Sequence, residues 1–182
     1  SHFTVEDGLA NNDLRTLLED STGRIWIGTA VGISVYDGAD FTSITEKDGL
    51  ADNDVTCLLA DRSGQIWIWT RNDGMSVYEG QHFSNFNKAD GLVSDDMRVL
   101  LEDRTGQIWI GTWAAAISRY DGKSFQSLTR EDGVPNGGLA TLMEDHDGHI
   151  WIGTAGGIVR YRPGHAPPPV ALTDVATNRR CG

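Results

Sequence analysis

The residues best suited to bind a ligand are those that interrupt a repeated pattern. Two additional tryptophans, Trp69 and Trp113, fall in corresponding loops of neighbouring repeats, and Arg71 and Asp73 lie in the first of these loops. Aromatic faces stack on sugar rings, while arginine and aspartate side chains bind hydroxyl groups and arginine binds the carboxylate of a uronate. These residues predict a site for a carbohydrate or an aromatic ligand.

Two arginines near the start of the predicted inner strands, Arg15 and Arg98, complete this candidate site. Each would add positive potential to an otherwise acidic protein. A structural interpretation of the same residues stays open. Trp69 and Trp113 would then fill the channel of a small ring, and the two arginines would pair with nearby acids such as Asp13.

The sequence contains no group with the spacing of a catalytic or metal-binding site. His146 and His149 flank Asp147, but three potential ligands within four residues of a tight turn rarely converge on one ion. We find no phosphate-binding glycine loop, no nucleophile elbow and no pair of carboxylates at catalytic spacing. We therefore predict no metal, no cofactor and no enzymatic activity of the chain itself.

A repeated unit of about 42 residues accounts for most of the chain. Its clearest marker is a tryptophan that recurs at intervals of 41, 42 and 42 residues, at Trp26, Trp67, Trp109 and Trp151. In the second unit, four short strands are predicted at 54–60, 65–70, 75–78 and 83–86, with turn residues between them. Four-stranded units at this period are typical of propeller blades. The sequence thus predicts an all-β fold, a β-propeller with about four blades.

The first hairpin of every unit carries an aspartate, a glycine and the repeated tryptophan. We predict structural roles for all three: the aspartate accepts hydrogen bonds from the turn, the glycine takes a positive φ, and the tryptophan fills the space between blades. The aspartates are Asp20, Asp61, Asp103 and Asp145, and the glycines are Gly23, Gly64, Gly106 and Gly148. The hairpin is similar to the Asp-box hairpin of sialidase propellers.

The chain begins in the middle of a unit, which leaves several arrangements open. Residues 2–5 align with the end of a fourth strand, so they would complete the last unit if four blades closed into a ring of sixteen strands. Otherwise the blades form part of a larger ring, or a half-ring completed by a second copy. We expect residues 1–161 to be the propeller. Residues 162–182, which are rich in proline, would be an exit segment that leads to a further domain.

Composition excludes two classes of partner. The chain has 26 acidic residues against 15 lysines and arginines, a formal charge of −11 and a pI of about 4.7. Nucleic-acid binders normally carry a basic surface, and anionic membranes attract basic ones. No apolar run approaches the roughly 20 residues of a membrane span. We predict no nucleic-acid partner and no direct insertion into a membrane.

The pattern DGL…NNDLRTLLEDSTGRIWIGTAVGISVYDG at residues 7–38, with its later copies, resembles the two-component regulator propeller repeat. That repeat is typical of periplasmic sensor regions of bacterial hybrid histidine kinases and of some cyclic-di-GMP enzymes. The resemblance covers residues 3–161. It implies propeller blades, usually seven to a ring, in a module that senses ligands on the periplasmic or extracellular side of a membrane receptor.

Three functions remain to be weighed from the sequence. The first is a non-catalytic sensor that recognises a small molecule or a glycan. The second is a structural or docking propeller that associates with itself, for example as a homodimer that completes a larger ring. The third is an enzyme similar to streptogramin lyases, whose histidine and acids lie on the channel face. The five histidines here fall in hairpins, termini or the exit segment instead.

Overall fold

The computed structural model describes residues 2–113 and 116–163, and the strands in these residues form four antiparallel sheets. The first sheet contains β1 (Leu14–Glu19), β2 (Ile25–Thr29), β3 (Gly32–Tyr36) and β4 (Phe41–Ile44). The second contains β5 (Val55–Ala60), β6 (Ile66–Thr70), β7 (Met75–Tyr78) and β8 (Phe83–Phe86). The third contains β9 (Met97–Glu102), β10 (Ile108–Thr112), β11 (Ile117–Tyr120) and β12 (Phe125–Leu128). The fourth contains β13 (Leu139–Glu144), β14 (Ile150–Thr154) and β15 (Gly157–Tyr161).

Each sheet follows the order of the chain, with every strand paired to the next one along the sequence. This is the meander expected of a propeller blade, and it confirms the predicted all-β architecture. We number the sheets blade 1 to blade 4. The glycine-rich turns and alternating strands of each repeat dictate this local structure, since alternation places side chains on both faces of a covered sheet.

Hydrophobic clusters fill the spaces between consecutive blades. Each blade has a tail face, which carries the repeated tryptophan and turns toward the next blade, and a head face, which carries a tyrosine of the third strand. Trp26 lies 5.2 Å from Tyr78 of blade 2, measured between ring centroids, and Trp109 lies 5.6 Å from Tyr161 of blade 4. Burying one large apolar side chain contributes about 1.5–3 kcal/mol, so these contacts hold the blades in register.

The linker from one blade to the next is a capped turn of 3₁₀ helix. In the linker before blade 2, Asp48 accepts hydrogen bonds from the backbone N–H and the hydroxyl of Thr45. Gly49 then takes a φ of 111°, which suits glycine, and Leu50 enters the core behind it. These turns are three residues long, and no helix in the described residues is long and apolar enough to span a bilayer.

The N-terminal segment does not complete the last blade in the residues that the structure describes. Residues 2–4 lie outside any strand, and Phe3 packs against Tyr36 and Phe41 at centroid distances of 5.3 and 5.4 Å. Phe86 makes the same contacts with Tyr120 and Phe125 of blade 3. Phe3 therefore behaves as the end of a fourth strand that precedes blade 1, because its aromatic contacts are with the head face of that blade.

Fifteen strands are thus seen within residues 2–113 and 116–163, rather than the sixteen that self-closure requires. The proline-rich segment and the domain that it was expected to reach fall on residues 164–182, which lie outside the described residues.

Candidate ligand-binding face

Two opposite faces result from the blade topology. The β1–β2 and β3–β4 hairpins and their counterparts form one face, which we call the hairpin face. The β2–β3 loops and the blade-to-blade linkers form the other, which we call the linker face. In blades 2, 3 and 4 a backbone hydrogen bond ties this loop to its linker, for example from Arg71 N–H to the Asp54 carbonyl (2.9 Å) and from Trp113 N–H to the Asp96 carbonyl (3.2 Å).

The repeated aspartate organises the hairpin face. Oδ1 of Asp103 accepts hydrogen bonds from the backbone N–H groups of Thr105 (2.9 Å) and Gln107 (3.0 Å), and Oδ2 accepts one from Trp109 Nε1 (2.8 Å). Burial raises the pKa of this carboxyl, but the hydrogen bonds from Thr105, Trp109 and Gln107 together outweigh burial and lower it. The Asp103 carboxylate therefore links the backbone of the hairpin turn to the side chain of Trp109.

The same arrangement recurs in the other blades. The tryptophan Nε1 donates to Asp20 at 2.8 Å, to Asp61 at 2.8 Å and to Asp145 at 2.7 Å. The glycines of these turns all have positive φ angles: 83° at Gly23, 88° at Gly64, 82° at Gly106 and 84° at Gly148. The set acts as a scaffold, because its bonds repeat in every blade.

A cluster of Asp145, Asp147 and His149 brings three ligand atoms within 4.8 Å of one another. Both oxygens of Asp145 are already engaged, Oδ1 by the backbone N–H groups of Asp147 and His149 and Oδ2 by Trp151. Hydrogen bonds, first from Trp151, lower the pKa of Asp145, as hydrogen bonds do in Asp20 and Asp103. The cluster follows from the turn, whose backbone and tryptophan already use both oxygens of Asp145.

Trp69 does not lie on the linker face. Its side chain is 1% exposed and packs in the cluster between blades 2 and 3, with Nε1 donating to the Asp95 carbonyl at 3.2 Å. It therefore has no free face on which a ligand could stack, and its assignment to the candidate site is wrong. It fills space between blades because it follows Trp67 by two residues in β6, which places both indoles on the tail face.

Glycines occupy the corresponding position in the other blades. A Cβ on Gly28 would lie 2.7 Å from Val55 Cγ1, and one on Gly111 would lie 2.5 Å from Leu139 Cδ2, so the blades there approach too closely for any side chain. The strands β5 and β9 stand farther apart than β1 and β5 or β9 and β13. The indole of Trp69 occupies the additional space.

Asp54 brings together two of the predicted arginines. Arg71 Nε lies 2.6 Å from Asp54 Oδ2, and Arg15 Nη2 lies 3.8 Å from Asp54 Oδ1 and 3.4 Å from Asp13 Oδ2. Sequence reasoning proposed acidic partners for Arg15 but missed Asp54, which belongs to the linker before blade 2. Asp73, also predicted, is exposed in the same loop as Arg71.

Arg98 and Trp113 form the second pair on the linker face. The guanidinium carbon of Arg98 lies 4.0 Å from the centroid of the Trp113 indole, and this indole is 56% exposed. Arg98 sits at the β-bulge between Met97 and Val99, where β9 has one residue more than its partner strand. A bulge re-aims the side chain, and here it directs the guanidinium over the exposed ring.

A cavity that sequence reasoning did not find lies on the hairpin face between blades 2 and 3. Its volume is about 430 Å³, and its walls include Trp67, Tyr120 and Gln65. Arg62 and Arg104 also line it, but both are engaged: Arg62 Nη1 donates to the Asp103 carbonyl, and Arg104 Nε binds Glu144. No pattern in the sequence points to this cavity.

These observations define the class of the protein, since four-stranded meander sheets packed tail to head through repeated tryptophans make a β-propeller repeat protein. The family model for the two component regulator propeller matches residues 8–30, 49–72, 91–114 and 133–156, about half of the chain. The chain belongs to this family. No curated protein matches the sequence significantly.

Solved structures with the same fold include sensor regions and an enzyme. The extracellular domain of the hybrid two component system BT3049 from B. thetaiotaomicron is 25% identical, with a TM-score of 0.76 over 90% of this chain and 24% of its own. That of BT4673 from the same organism is 22% identical, with a TM-score of 0.69 over 92% of this chain and 25% of its own.

Virginiamycin B lyase from Staphylococcus aureus is 19% identical, with a TM-score of 0.60 over 89% of this chain and 60% of its own. The chain spans about a quarter of the length of the two extracellular domains that it resembles. It resembles extracellular domains of bacterial two-component receptors, and a lyase shares its fold.

Proposed function

We propose that the chain is a ligand-recognition part of a bacterial receptor of the two-component type, placed on the periplasmic or extracellular side of the membrane, and that it is not itself catalytic. The observation that carries this proposal is the exposed indole of Trp113 with Arg98 stacked against it on the linker face. The likeness to extracellular domains of two-component receptors supports the location and the class.

The chemistry of this pair favours an acidic sugar. An indole offers a flat apolar surface to the C–H face of a pyranose, and a guanidinium binds a carboxylate through two parallel hydrogen bonds. Among the described residues no carboxylate forms an ion pair with Arg98, so its donors are available. A uronate-containing glycan is therefore the ligand class that we expect, with Arg71 and Asp73 of the neighbouring blade as further polar contacts.

Titration of tryptophan fluorescence tests the proposal, with oligouronates as ligands and the neutral oligosaccharides of matching length for comparison. We expect Trp113→Ala to abolish the response and Arg98→Ala to weaken uronate binding by at least about tenfold. Val31→Ala serves as the matched control, since Val31 is an exposed residue of the corresponding loop in blade 1. A response to uronates that survives both Trp113→Ala and Arg98→Ala would refute the site.

The fold shared with virginiamycin B lyase makes catalysis the competing function. The hairpin histidines His82, His146 and His149 argue against it, because they lie on the hairpin face, opposite the Trp113–Arg98 pair. Incubation of the protein with a streptogramin B antibiotic should leave the antibiotic intact by mass spectrometry. Conversion to a linear product would overturn the non-catalytic proposal without bearing on glycan binding.

A further inference from the structure

An arginine lies over the repeated tryptophan in three of the four blades. A positive charge in this position is attracted by the π electrons of the indole. Among the described residues, no lysine or arginine takes the same place over Trp67 in blade 2. From guanidinium carbon to ring centroid, the distances in the other blades are 5.5 Å for Arg24 and Trp26, 5.5 Å for Arg119 and Trp109, and 5.8 Å for Arg160 and Trp151.

The residues at two repeat positions explain why blade 2 differs. The third-strand position that is arginine in blades 3 and 4 is Val77 in blade 2, and the hairpin position that is arginine in blade 1 is Gln65. Valine carries no charge, and the Gln65 amide donates to the carboxylate of Glu79 at 2.8 Å instead. Neither position of blade 2 therefore supplies a cation to Trp67.

A pocket of about 230 Å³ lies at this place, beside the cavity of about 430 Å³ between blades 2 and 3. Trp67, Val77 and Phe86 line it from the tail face of blade 2, and Tyr120 lines it from the head face of blade 3. Blades 1 and 3 have an isoleucine and a leucine at the position of Phe86. The ring centroids of Phe86 and Tyr120 are 5.8 Å apart, so blade 2 gives the pocket an additional aromatic wall.

Glu79 determines the charge of this pocket. The same position in blades 1 and 3 is an aspartate, and Asp37 and Asp121 there accept backbone hydrogen bonds within their own turns. Glu79 is one methylene longer and binds Gln65, and within the described residues it forms no ion pair. Of the described residues that line the pocket, it alone is charged. The pocket therefore favours a positive charge.

The hydroxyl of Tyr120 is a further polar group of the pocket. In blades 1 and 2 the corresponding hydroxyls, of Tyr36 and Tyr78, donate to the carbonyl of the glycine two residues later. Among the described residues Tyr120 makes no such hydrogen bond, so its oxygen is available to a ligand. Burial raises the pKa of Tyr120, and the negative charges of Asp121 and Glu79 raise it further. The same two charges would stabilise a cation near this hydroxyl.

We propose that this pocket binds a small organic cation with an ammonium or guanidinium group, which takes the place over Trp67 that an arginine takes in the other blades. Phe86 and Tyr120 are the other aromatic walls around the charge, and Glu79 is its counter-ion. The two arginines of the adjoining cavity each contact a glutamate of the following blade, so their charges are offset there. The site is distinct from the proposed uronate site, which lies on the linker face of blade 3.

Isothermal titration calorimetry of the full chain with choline tests the site. The matched ligand is the neutral carbon analogue of choline, in which a tert-butyl group replaces the trimethylammonium group and only the charge is lost. We expect this alcohol to bind at least about tenfold more weakly than choline, because it lacks the cation–π attraction and the ion pair. Butylguanidinium should compete with choline for the pocket. Equal affinities for choline and the alcohol, or no binding of either cation, would overturn the proposal.

Glu79→Gln tests the counter-ion, since it removes the charge and nearly keeps the shape of the side chain. We expect choline to bind about fivefold more weakly to this variant, the upper range for an exposed ion pair. Glu131→Gln is the matched control, because it removes an exposed charge from the linker before blade 4 and should leave choline binding unchanged. Equal weakening by both substitutions would show that only the net charge of the protein matters.

Val77→Arg tests the position of the cation, since it supplies the arginine that blades 3 and 4 have over their tryptophans. We expect this variant to lose choline binding, because its own guanidinium occupies the pocket. If Val77→Arg fails to fold by circular dichroism, Phe86→Leu decides, since removal of one aromatic wall should weaken choline binding about threefold. Trp113→Ala should leave choline binding unchanged, so failure of the uronate site and failure of this site can be told apart. Choline affinity that survives a folded Val77→Arg variant would place the ligand elsewhere.

Discussion

The two tryptophans that interrupt the repeat should differ sharply in their effect on stability. Trp69 is 1% exposed, and truncation of a buried tryptophan to alanine costs about 3–5 kcal/mol. Trp69→Ala also removes the donor to the Asp95 carbonyl. Trp113→Ala removes a side chain that is 56% exposed and one cation–π contact, so we expect a loss of at most about 1 kcal/mol. The difference between the two variants is therefore about 3 kcal/mol.

Urea denaturation followed by circular dichroism measures this difference. With a slope of about 2 kcal/mol per molar urea, the midpoint for Trp69→Ala should fall about 1.5 M below that for Trp113→Ala. Circular dichroism and tryptophan fluorescence should give coincident midpoints, since only then does a single free energy describe the transition. Equal midpoints for the two variants would refute the assignment of Trp69 to the core between blades 2 and 3.

Three further predictions concern the scaffold. Asp103→Ala should lower the free energy of unfolding by about 3 kcal/mol in urea denaturation, because it leaves the buried Nε1–H of Trp109 without an acceptor; a loss below about 1 kcal/mol would contradict this role. The pKa values of Asp20 and Asp103 lie below the ordinary 3.8 in the folded protein. The unfolded chain therefore binds protons first on acidification, so stability present at neutral pH should decline below about pH 5 and keep falling through the folded pKa values, in urea titrations at stepped pH. Gly111→Ala should cost about 1–3 kcal/mol, since its Cβ would lie 2.5 Å from Leu139 Cδ2, and a melting temperature like that of wild type would show that blades 3 and 4 can separate freely.

The fold could be predicted because the residues of each repeat, taken alone, predict the same strands and turns. The strands expected at 65–70, 75–78 and 83–86 are observed at Ile66–Thr70, Met75–Tyr78 and Phe83–Phe86. The turn residues and the alternation of side chains along each strand are sufficient to predict these strands, since both are properties of residues close together in the sequence. The number of strands at the ends was harder to predict, because Phe3 has the sequence of a fourth strand but contacts blade 1 rather than blade 4.

The candidate site could be predicted only in part. Trp113 and Arg98 lie together on the linker face, and Arg71 and Arg15 meet at Asp54, but the sequence does not reveal the last contact because it joins residues from three different segments. The burial of Trp69 could have been predicted from its spacing to Trp67. It stands two residues after Trp67 in an alternating strand, so strand geometry places it on the same packed face.

Trp69 nevertheless matters to the linker face, through the chain segment that it supports. Its indole donates to the carbonyl of Asp95, and the next residue, Asp96, accepts the backbone hydrogen bond from Trp113. Arg98 follows two residues later and stacks on the same indole of Trp113. Trp69 thus holds the backbone at Asp95 and Asp96, and this backbone in turn binds Trp113. The remaining blades have glycine at this position and no equivalent exposed tryptophan. The two tryptophans are therefore a coupled departure from the repeat, because the indole of Trp69 between blades 2 and 3 supports the segment on which the exposed indole of Trp113 rests.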